Sequence, residues 1–294
     1  MKSFKISVPA SSANIGPGFD SMGLAVNLYL TLEVTESEEW EFYSHSSPSN
    51  RTNYKEHFIY KIAKQTAERH HKQLTPCKVV ETSDIPLARG LGSSASAIIA
   101  GIELANQVCD LSLTSEAKLR YGTEIEGHPD NIAPALYGGL VISIVTEDEI
   151  DWIQMPTLDV DVILYIPNVE LKTDEARNVL PDSYSRNDAT SASGISNIVV
   201  ASLLSGNYKL AGKMMERDIF HEPYRANLIP NFNKIRNESK KYGVYGTVIS
   251  GAGPTMLSFA PKGSGQSVVE QMQDLLGNYQ VKLLEMDVQG LTVK

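Results

Sequence analysis

A glycine-rich loop between a predicted strand and a predicted helix constrains this chain most strongly. The loop has the sequence PLARGLGSSA and occupies residues 86–95. Residues 76–81 before it are typical of a strand, and residues 93–108 after it have apolar positions at helical spacing. The glycines allow close backbone approach, and the first turn of a helix has unpaired N–H groups. The segment therefore predicts an anion site for phosphate, although a serine-capped helix after a tight turn would have the same residues.

Two common nucleotide-binding patterns can be compared with this loop. The Walker pattern requires a lysine that the loop lacks, so the loop is not a standard P-loop. The Rossmann pattern matches the two glycines and the final alanine, but residues 86–89 separate the loop from its strand and no second strand precedes Asp110. The loop instead offers Ser93 and Ser94 at the positive end of the helix dipole, where one hydroxyl can reach a phosphate-bound Mg²⁺.

Composition and charge argue against several classes of partner. The formal net charge of −9 would repel nucleic acid and anionic membrane surfaces. Residues 1–12 contain no apolar leader segment, and the most apolar window, residues 95–105, is interrupted by Glu103. Cys77 and Cys109 lack the spacing of a metal site, so we expect them to pack as unpaired thiols in a reducing compartment. We therefore expect a globular, cytoplasmic protein that binds a polyanion such as ATP through backbone N–H groups and a metal.

The remaining pattern predicts an α+β protein with two domains. Residues 44–53 are polar and turn-rich, and the acidic, proline-containing stretch 146–156 places a boundary between domains at 1–155 and 156–294. Strands are predicted at 4–8, 24–34, 76–81, 139–145, 160–166, 244–250 and 281–286. Helices are predicted at 55–69, 93–108, from the cap region 114–115 to 127, and at 188–204, 208–216 and 228–242.

Three motifs in order along the chain give it a resemblance to the GHMP kinases, a family of small-molecule kinases. The loop matches the family's PxxxGLGSSA signature, and the other motifs are VPASSANIGPGFD at 8–20 and ISGAGPT at 249–255. The resemblance implies the GHMP kinase fold: an N-terminal ribosomal-protein-like domain that carries the phosphate loop, and a C-terminal ferredoxin-like domain. It also implies ATP and Mg²⁺ as cofactors, a substrate cleft between the domains, and a homodimer.

Two further segments resemble those GHMP kinases that phosphorylate homoserine. They are EGHPDN at 126–131 and HEPYR at 221–225. We therefore expect ATP-dependent phosphorylation of the side-chain hydroxyl of L-homoserine, a step in threonine biosynthesis. Another alcohol, such as shikimate or a mevalonate-type substrate, stays open, although two arginines with Asp130 favour an amino acid. A catalytically silent nucleotide-binding member is the other alternative, and the serine pair with Glu124 argues against it.

The resemblance also carries site residues over to this chain. For the metal it implies the two loop serines and Glu124, with Glu126 as the alternative if the helix register differs by two residues. Asn53 lies in the segment that resembles the family's adenine pocket. The predicted ATP contacts are Pro86, Leu87, Ala88, Arg89, Gly90, Leu91, Gly92, Ser93, Ser94, Ala95, Ser96 and Asn53.

A zwitterionic acceptor requires complementary charges in its site. Arg177 and Arg225 can each fork onto a carboxylate, and Asp20 and Asp130 are candidates for the ammonium group. The other predicted substrate contacts are Asn14, His128, Thr173 and Gly253. The predicted catalytic residues are Asp130, Asn131, Arg177 and Glu124. Whether Asp130 is a general base or only a substrate ligand stays open, because a loose phosphoryl-transfer transition state does not need a dedicated base.

Overall fold

The protein folds into two sheets with helices packed against them. The computed structural model describes residues 3–44, 51–147 and 149–294. Its strands are β1 (Phe4–Ala13), β2 (Met22–Glu36), β3 (Glu41–Ser44), β4 (Arg51–Thr52), β5 (Cys77–Ser83), β6 (Leu140–Thr146), β7 (Glu149–Gln154), β8 (Val160–Pro167), β9 (Gly246–Ile249), β10 (Met256–Pro261), β11 (Tyr279–Leu284) and β12 (Thr292–Val293). Its α-helices are α1 (Phe58–Arg69), α2 (Ser93–Cys109), α3 (Ser115–Glu126), α4 (Ile132–Tyr137), α5 (Thr173–Asn178), α6 (Arg186–Leu204), α7 (Tyr208–Met215), α8 (Glu222–Arg225), α9 (Phe232–Lys241) and α10 (Gly265–Leu275), and short 3₁₀ turns lie at Tyr54–Glu56 and Ala226–Leu228.

The first sheet carries the glycine loop. Its order is β12-β1-β2-β5-β3-β4, and β6 and β7 form a hairpin attached to β2. Helix α2 packs against this sheet and is rich in small and apolar residues, most of them buried. At Gly101 a Cβ atom would lie 2.8 Å from the backbone oxygen of Ile59 in α1, so glycine permits the close approach of the two helices. This packing fixes where α2 begins, which is the end of the loop.

The second sheet is antiparallel and has the order β11-β8-β10-β9. Along the chain, β8 is followed by helices, then by β9 and β10, then by α10 and β11, which is the βαββαβ arrangement of a ferredoxin-like domain. All eight residues of β8 are buried because the strand is central in the sheet and covered by helices. The predicted α+β class and the ferredoxin-like C-terminal domain are confirmed.

The end of the chain returns to the first sheet, although the sequence prediction includes it in the second domain of residues 156–294. Strand β12 pairs with β1, and Met286 forms a bridge with Val26 of β2. The Asp287 carboxylate accepts a 2.7 Å hydrogen bond from the Tyr29 hydroxyl and further bonds from the backbone N–H groups of a turn at residues 289–290. The sequence pattern could not indicate this return because a two-residue strand has too few positions to show alternation.

Several predicted elements agree with the structure, and the main errors lie between them. The stretch 146–156, predicted as an interdomain linker, contains all of β7, whose residues are mostly exposed. Strand β10 and helices α4, α5, α8 and α10 were also not predicted. Residues 45–50 of the predicted polar loop lie outside the described residues. In the part of the chain that the structure describes, no helix combines the length and apolar character needed to cross a bilayer.

Candidate active site

The three motifs that are far apart in sequence meet around one pocket. This pocket lies where the glycine loop of the first sheet faces the helices and loops of the second. Its lining residues are Ala13, Asn14, Phe19, Asp20, Ala88, Arg89, Gly90, Leu91, Gly92, Ser93, Ser94, Glu126, His128, Asp130, Asn131, Leu171, Thr173, Arg177, Arg225, Gly251 and Ala252. Most residues predicted to form the site therefore share one cavity.

The glycine loop is held by the first and third motifs. Gly90 has a φ of +71°, and a Cβ atom there would lie 2.3 Å from the backbone oxygen of Ser250. The Ser250 hydroxyl itself donates a 2.6 Å hydrogen bond to the Gly90 carbonyl. Gly92 has a φ of +63°, and its Cβ atom would lie 2.1 Å from the Ser11 hydroxyl oxygen. Glycine is therefore required at both positions, because a side chain would collide with neighbouring protein atoms and because the backbone is left-handed.

The start of α2 is open to the pocket. Gly92 is the N-cap residue and offers no side-chain hydrogen bond to the first turn, so the N–H groups at the helix start remain available to an anion. Ser93 and Ser94 both line the pocket at this point. The geometry therefore suits a phosphate group at the helix N-terminus, with hydroxyl groups beside it.

The structure places Glu126 at the pocket, whereas Glu124, the predicted metal ligand, lies outside its lining. Glu124 is about half exposed outside the pocket, where its carboxylate pairs with Arg69 at 2.5 Å and approaches Arg120 at 3.9 Å. Glu126 lines the pocket and accepts a 2.8 Å hydrogen bond from the Ser94 hydroxyl. Two residues along a helix turn a side chain through about 200°, so only one of the two glutamates can face the loop.

The first motif contributes a charged pair to the pocket. Arg177 of α5 donates hydrogen bonds to both carboxylate oxygens of Asp20, at 2.8 and 3.3 Å. Asp20 lies in a left-handed turn with a φ of +53°, and its backbone N–H donates to the Asn14 side chain at 3.1 Å. The Asn14 amide also donates to the Gly251 carbonyl at 2.9 Å. Asn14 thus joins the first and third motifs while it lines the pocket.

The segment after α3 contributes a second charged pair. The His128 imidazole hydrogen-bonds through Nδ1 to the carboxylate of Asp130, which is 2% exposed. Burial lowers the pKa of His128, but the hydrogen bond and charge of Asp130 outweigh it and raise the pKa overall. Asn131 donates to Asp130 at 3.3 Å and accepts from the Ser11 hydroxyl at 2.8 Å. The cationic form of His128 is therefore favoured beside the buried carboxylate.

Arg225 reaches the pocket from the second domain although it is 2% exposed. Its Nε donates to the Ala176 carbonyl at 2.9 Å, and its Nη1 donates to the Gly251 carbonyl at 3.2 Å. Burial, together with the charge of Arg177, lowers the pKa of its guanidinium to about 10, so the group remains cationic at neutral pH. Arg89, Arg177 and Arg225 all line the pocket. Arg89 pairs with Glu170 at 3.3 Å and Arg177 with Asp20 at 2.8 Å, whereas Arg225 has no carboxylate within ion-pair distance among the described residues.

Several predicted contacts lie outside the pocket lining. The loop residues outside it are Pro86, Leu87, Ala95 and Ser96; Ser96 is buried, and its hydroxyl donates to the Pro9 carbonyl at 2.8 Å. Asn53 instead caps a 3₁₀ turn by accepting from the Lys55 N–H at 3.2 Å. Gly253 is buried against Ile229 and shapes the loop from behind. These residues therefore do not line the cavity.

Phe19 and Leu171 are among the pocket residues that had no functional prediction from the sequence. Phe19 lies between the guanidinium groups of Arg225 and Arg177, whose central carbons are 5.3 and 5.9 Å from its ring centroid. Leu171 lines the pocket just before α5. An apolar residue next to Asp20 gives no chemical signal of its own, so only the fold could identify Phe19.

Asp20, His128 and Asp130 place their ligand atoms within 4.8 Å of one another. This spacing alone would suit a metal ion. However, Asp20 is paired with Arg177, and Asp130 with a histidine whose protonated form is favoured. Because cations already occupy these carboxylates, the cluster is better suited to a mixed-charge organic ligand than to a divalent ion. The oxygen pair of Ser94 and Glu126 is the better magnesium candidate.

Comparisons with known proteins agree with the convergence of the three motifs. The model "GHMP kinases N terminal domain" matches residues 57–139, and "GHMP kinases C terminal" matches residues 199–278. A homoserine kinase of Oceanobacillus iheyensis is 58% identical over 100% of both chains. A solved structure from Listeria monocytogenes, provisionally named a homoserine kinase, is 40% identical over 99% of each chain with a TM-score of 0.85. The homoserine kinase structure from Cytophaga hutchinsonii is 27% identical, covers 100% of this chain and 98% of its own, and has a TM-score of 0.85.

Proposed function

The chain belongs to the homoserine kinases of the GHMP kinase family, and on this premise we propose that it transfers the γ-phosphoryl group of ATP to the side-chain hydroxyl of L-homoserine. One observation carries the proposal: an open helix N-terminus and a set of paired charges line the same pocket. The first feature suits a phosphate chain, and the second suits a small zwitterion. An ATP-binding protein without an acceptor would need only the first.

The phosphate end of the pocket is formed by backbone and hydroxyl groups. The N–H groups at the start of α2 and the loop glycines would bind the phosphates of ATP, which an acidic protein cannot attract through net charge. Positioning and charge stabilisation are the main demands of phosphoryl transfer, so a rigid loop is an advantage. The hydrogen bonds from Ser250 to Gly90 and the packing of Ser11 on Gly92 supply that rigidity.

Magnesium fits the residues beside this end. Ser94 and Glu126 present a hydroxyl and a carboxylate oxygen 2.8 Å apart, and hard oxygen donors are the ligands that Mg²⁺ prefers. When bound, the ion would neutralise charge on the phosphate oxygens. The two side chains would hold it at the helix N-terminus, where Ser93 offers a further hydroxyl. Glu124 is not part of this proposal because Arg69 pairs with it outside the pocket.

The acceptor end of the pocket complements a free amino acid. Arg225 and Arg177 are the candidates for the substrate carboxylate, and Asp20 and Asp130 for its ammonium group. Thr173, Asn14 and Asn131 offer neutral hydrogen-bonding groups at the same cavity. Shikimate, mevalonate and galactose lack an ammonium group and would therefore lose the charge-assisted contact with Asp20 and Asp130.

Proton removal from the hydroxyl does not require Asp130 as a base. The Asp130 carboxylate already accepts hydrogen bonds from His128 and Asn131 at Oδ1. We therefore assign Asp130 to substrate binding and orientation, with Asn131 beside the reacting hydroxyl. The loose transition state of phosphoryl transfer tolerates late proton loss.

The cellular setting is inferred from the family and the composition. We propose a cytoplasmic homodimer, as the two unpaired cysteines and the resemblance favour.

The function is tested by measuring ADP release with homoserine, shikimate, mevalonate and galactose in parallel, with mass spectrometry of the product. Phosphorylation of homoserine alone supports the proposal; preference for another alcohol, or ADP release that does not depend on an acceptor, contradicts it.

A further inference from the structure

A buried histidine behind the acceptor end connects two of its parts. His221, at the start of α8, is 0% exposed and lies outside the lining of the pocket. Its Nε2 is 2.9 Å from the Gly16 carbonyl in the first motif, and its Nδ1 is 3.3 Å from Nη1 of Arg225. Its ring stacks on Phe19 with a centroid distance of 5.3 Å. A single side chain therefore contacts the first-motif turn, the aromatic wall and the buried guanidinium.

The partners of this imidazole fix its tautomer. A carbonyl oxygen can only accept, so Nε2 must carry a proton, and a guanidinium can only donate, so Nδ1 must present a lone pair. His221 is consequently neutral in this arrangement. The charged groups facing it are Asp218 at 3.6 Å, Arg225 and Asp20, and burial holds the pKa of the imidazole below its usual range. Protonation of Nδ1 would place a positive charge against the guanidinium.

Arg225 has a restricted set of other partners. Its Nε and Nη1 donate to carbonyls of α5 and of the third motif, and the His221 nitrogen is the only side-chain acceptor among the described residues that it contacts. These bonds use Nε and Nη1, which leaves Nη2 for a ligand. The orientation of the guanidinium is thus set by groups on three separate segments, and His221 is the one that also contacts Gly16 in the first-motif turn.

We propose that His221 is a positioning residue of the acceptor site, where its neutral imidazole holds the Arg225 guanidinium and the Phe19–Asp20 turn in the orientation that receives the substrate carboxylate and ammonium. The role rests on the proposed function, because it concerns the acceptor rather than ATP. His221 touches neither substrate; it acts through Arg225 and the turn. The glycine loop and the Ser94–Glu126 pair do not contact it, so ATP binding should be independent of it.

Two substitutions separate the two contacts of the ring. In His221→Asn the side-chain oxygen can occupy the position of Nδ1 and keep the acceptor for Arg225, whereas in His221→Gln the amide can occupy the position of Nε2 and keep the donor to Gly16. We expect His221→Gln to raise KM for homoserine about ten- to hundred-fold, the usual effect of losing a hydrogen bond to a charged group. KM for ATP should stay within about two-fold, and His221→Asn should raise the homoserine KM less than His221→Gln.

A double-mutant cycle distinguishes positioning from general support of the fold. In an Arg225→Ala background, His221→Gln should cause little further rise in KM for homoserine, because the group through which it acts is absent. Fully additive effects, or equal increases in KM for ATP and homoserine, would overturn the role. If the wild type does not phosphorylate homoserine, the proposed function itself fails. If the wild type is active and the His221 variants have the same KM for homoserine, only the proposed role of His221 fails.

A measurement on the unmutated protein covers the case in which the variants do not fold. Nitrogen-15 NMR of the histidine side chains at neutral pH should assign His221 to the neutral tautomer with the proton on Nε2. Observation of the cation, or of the tautomer with the proton on Nδ1, would overturn the proposal without any substitution.

Discussion

The Ser94 hydroxyl donates a 2.8 Å hydrogen bond to the Glu126 carboxylate and thereby joins the start of α2 to the end of α3. The contact lies at the positive end of the α2 dipole, where a carboxylate is stabilised and a phosphate group would be bound. A carboxylate next to a phosphate site requires a cation between the two anions. Glu126 is therefore expected to act in catalysis only together with a divalent metal.

Substitution of Glu126 tests this metal site. Glu126→Gln keeps the shape of the side chain but removes the charge that would hold the ion, and we expect kcat to fall by at least ~100-fold. Glu124→Gln is the matched control, because that carboxylate pairs with Arg69 outside the pocket and should change kcat less than about three-fold. ADP release across a magnesium titration measures both. A larger loss of kcat in Glu124→Gln than in Glu126→Gln would instead identify Glu124 as the metal ligand.

A methyl group at Gly92 tests how the loop is held. Its Cβ atom would lie 2.1 Å from the Ser11 hydroxyl oxygen, so Gly92→Ala should displace the loop, weaken ATP binding and lower stability by about 1–3 kcal/mol. In the control Gly206→Ala the backbone φ is similar, +73°, but nothing lies within 4 Å of the new atom. It should cost about 1 kcal/mol and leave ATP affinity unchanged. Calorimetry of ATP binding and thermal unfolding compare the two variants. Normal ATP affinity in Gly92→Ala would contradict the proposed role of the loop in ATP binding.

The titration of His128 reports the charge state of the acceptor end. Its folded pKa is raised above the ordinary value of 6.5, so the contact with Asp130 stabilises the fold fully below about pH 6.5 and is lost as pH rises through the raised pKa. In Asp130→Asn the lowering effects of burial and of the Arg177 charge exceed the smaller raising effect of Asp20, so the pKa of His128 should fall below 6.5. NMR titration of the histidine ring measures both values. A pKa that is the same in the variant would mean that Asp130 does not govern this histidine.

The two arginines of the acceptor end should differ in their effect on stability. Arg225→Ala leaves the buried carbonyls of Ala176 and Gly251 without this donor, so we expect a loss of about 1–3 kcal/mol in unfolding free energy. Arg177 is 37% exposed at its side chain and pairs with the equally exposed Asp20, so Arg177→Ala should cost less than about 1 kcal/mol. Both should raise KM for homoserine, measured beside denaturant unfolding. Equal stability losses would contradict the assigned burial.

The sequence predicted the chemical parts of the site better than their geometry. The motif letters indicated a phosphate loop and named most of the residues that line the pocket. They did not distinguish Glu124 from Glu126, because a two-residue error in helix phase changes which side chain faces the loop and the local sequence is acidic at both positions. Glycine at position 92 suggested room for a phosphate, but the nearest obstacle is the Ser11 hydroxyl from a strand about eighty residues earlier.

Long-range pairing explains the errors in the fold as well. The final strand at Thr292–Val293 is recognisable only through its partner β1, and β7 only through β6. The sequence assigns His221 no role of its own within the HEPYR segment, yet the fold places it between Gly16 and Arg225. Local periodicity cannot encode such contacts, because they depend on where distant elements pack.

The most direct test of the whole account compares homoserine with two analogues that each lack one charge. 3-Aminopropan-1-ol lacks the carboxylate, and 4-hydroxybutanoate lacks the ammonium group, while both keep the reacting hydroxyl. Each deletion leaves a charged group of the pocket unpaired, so kcat/KM measured by coupled ADP release should fall by at least ~100-fold for either analogue. The account predicts that both losses occur and that Mg²⁺ is required for the activity with homoserine. An analogue that reacts as well as homoserine would contradict the assignment of the paired charges to a zwitterionic acceptor.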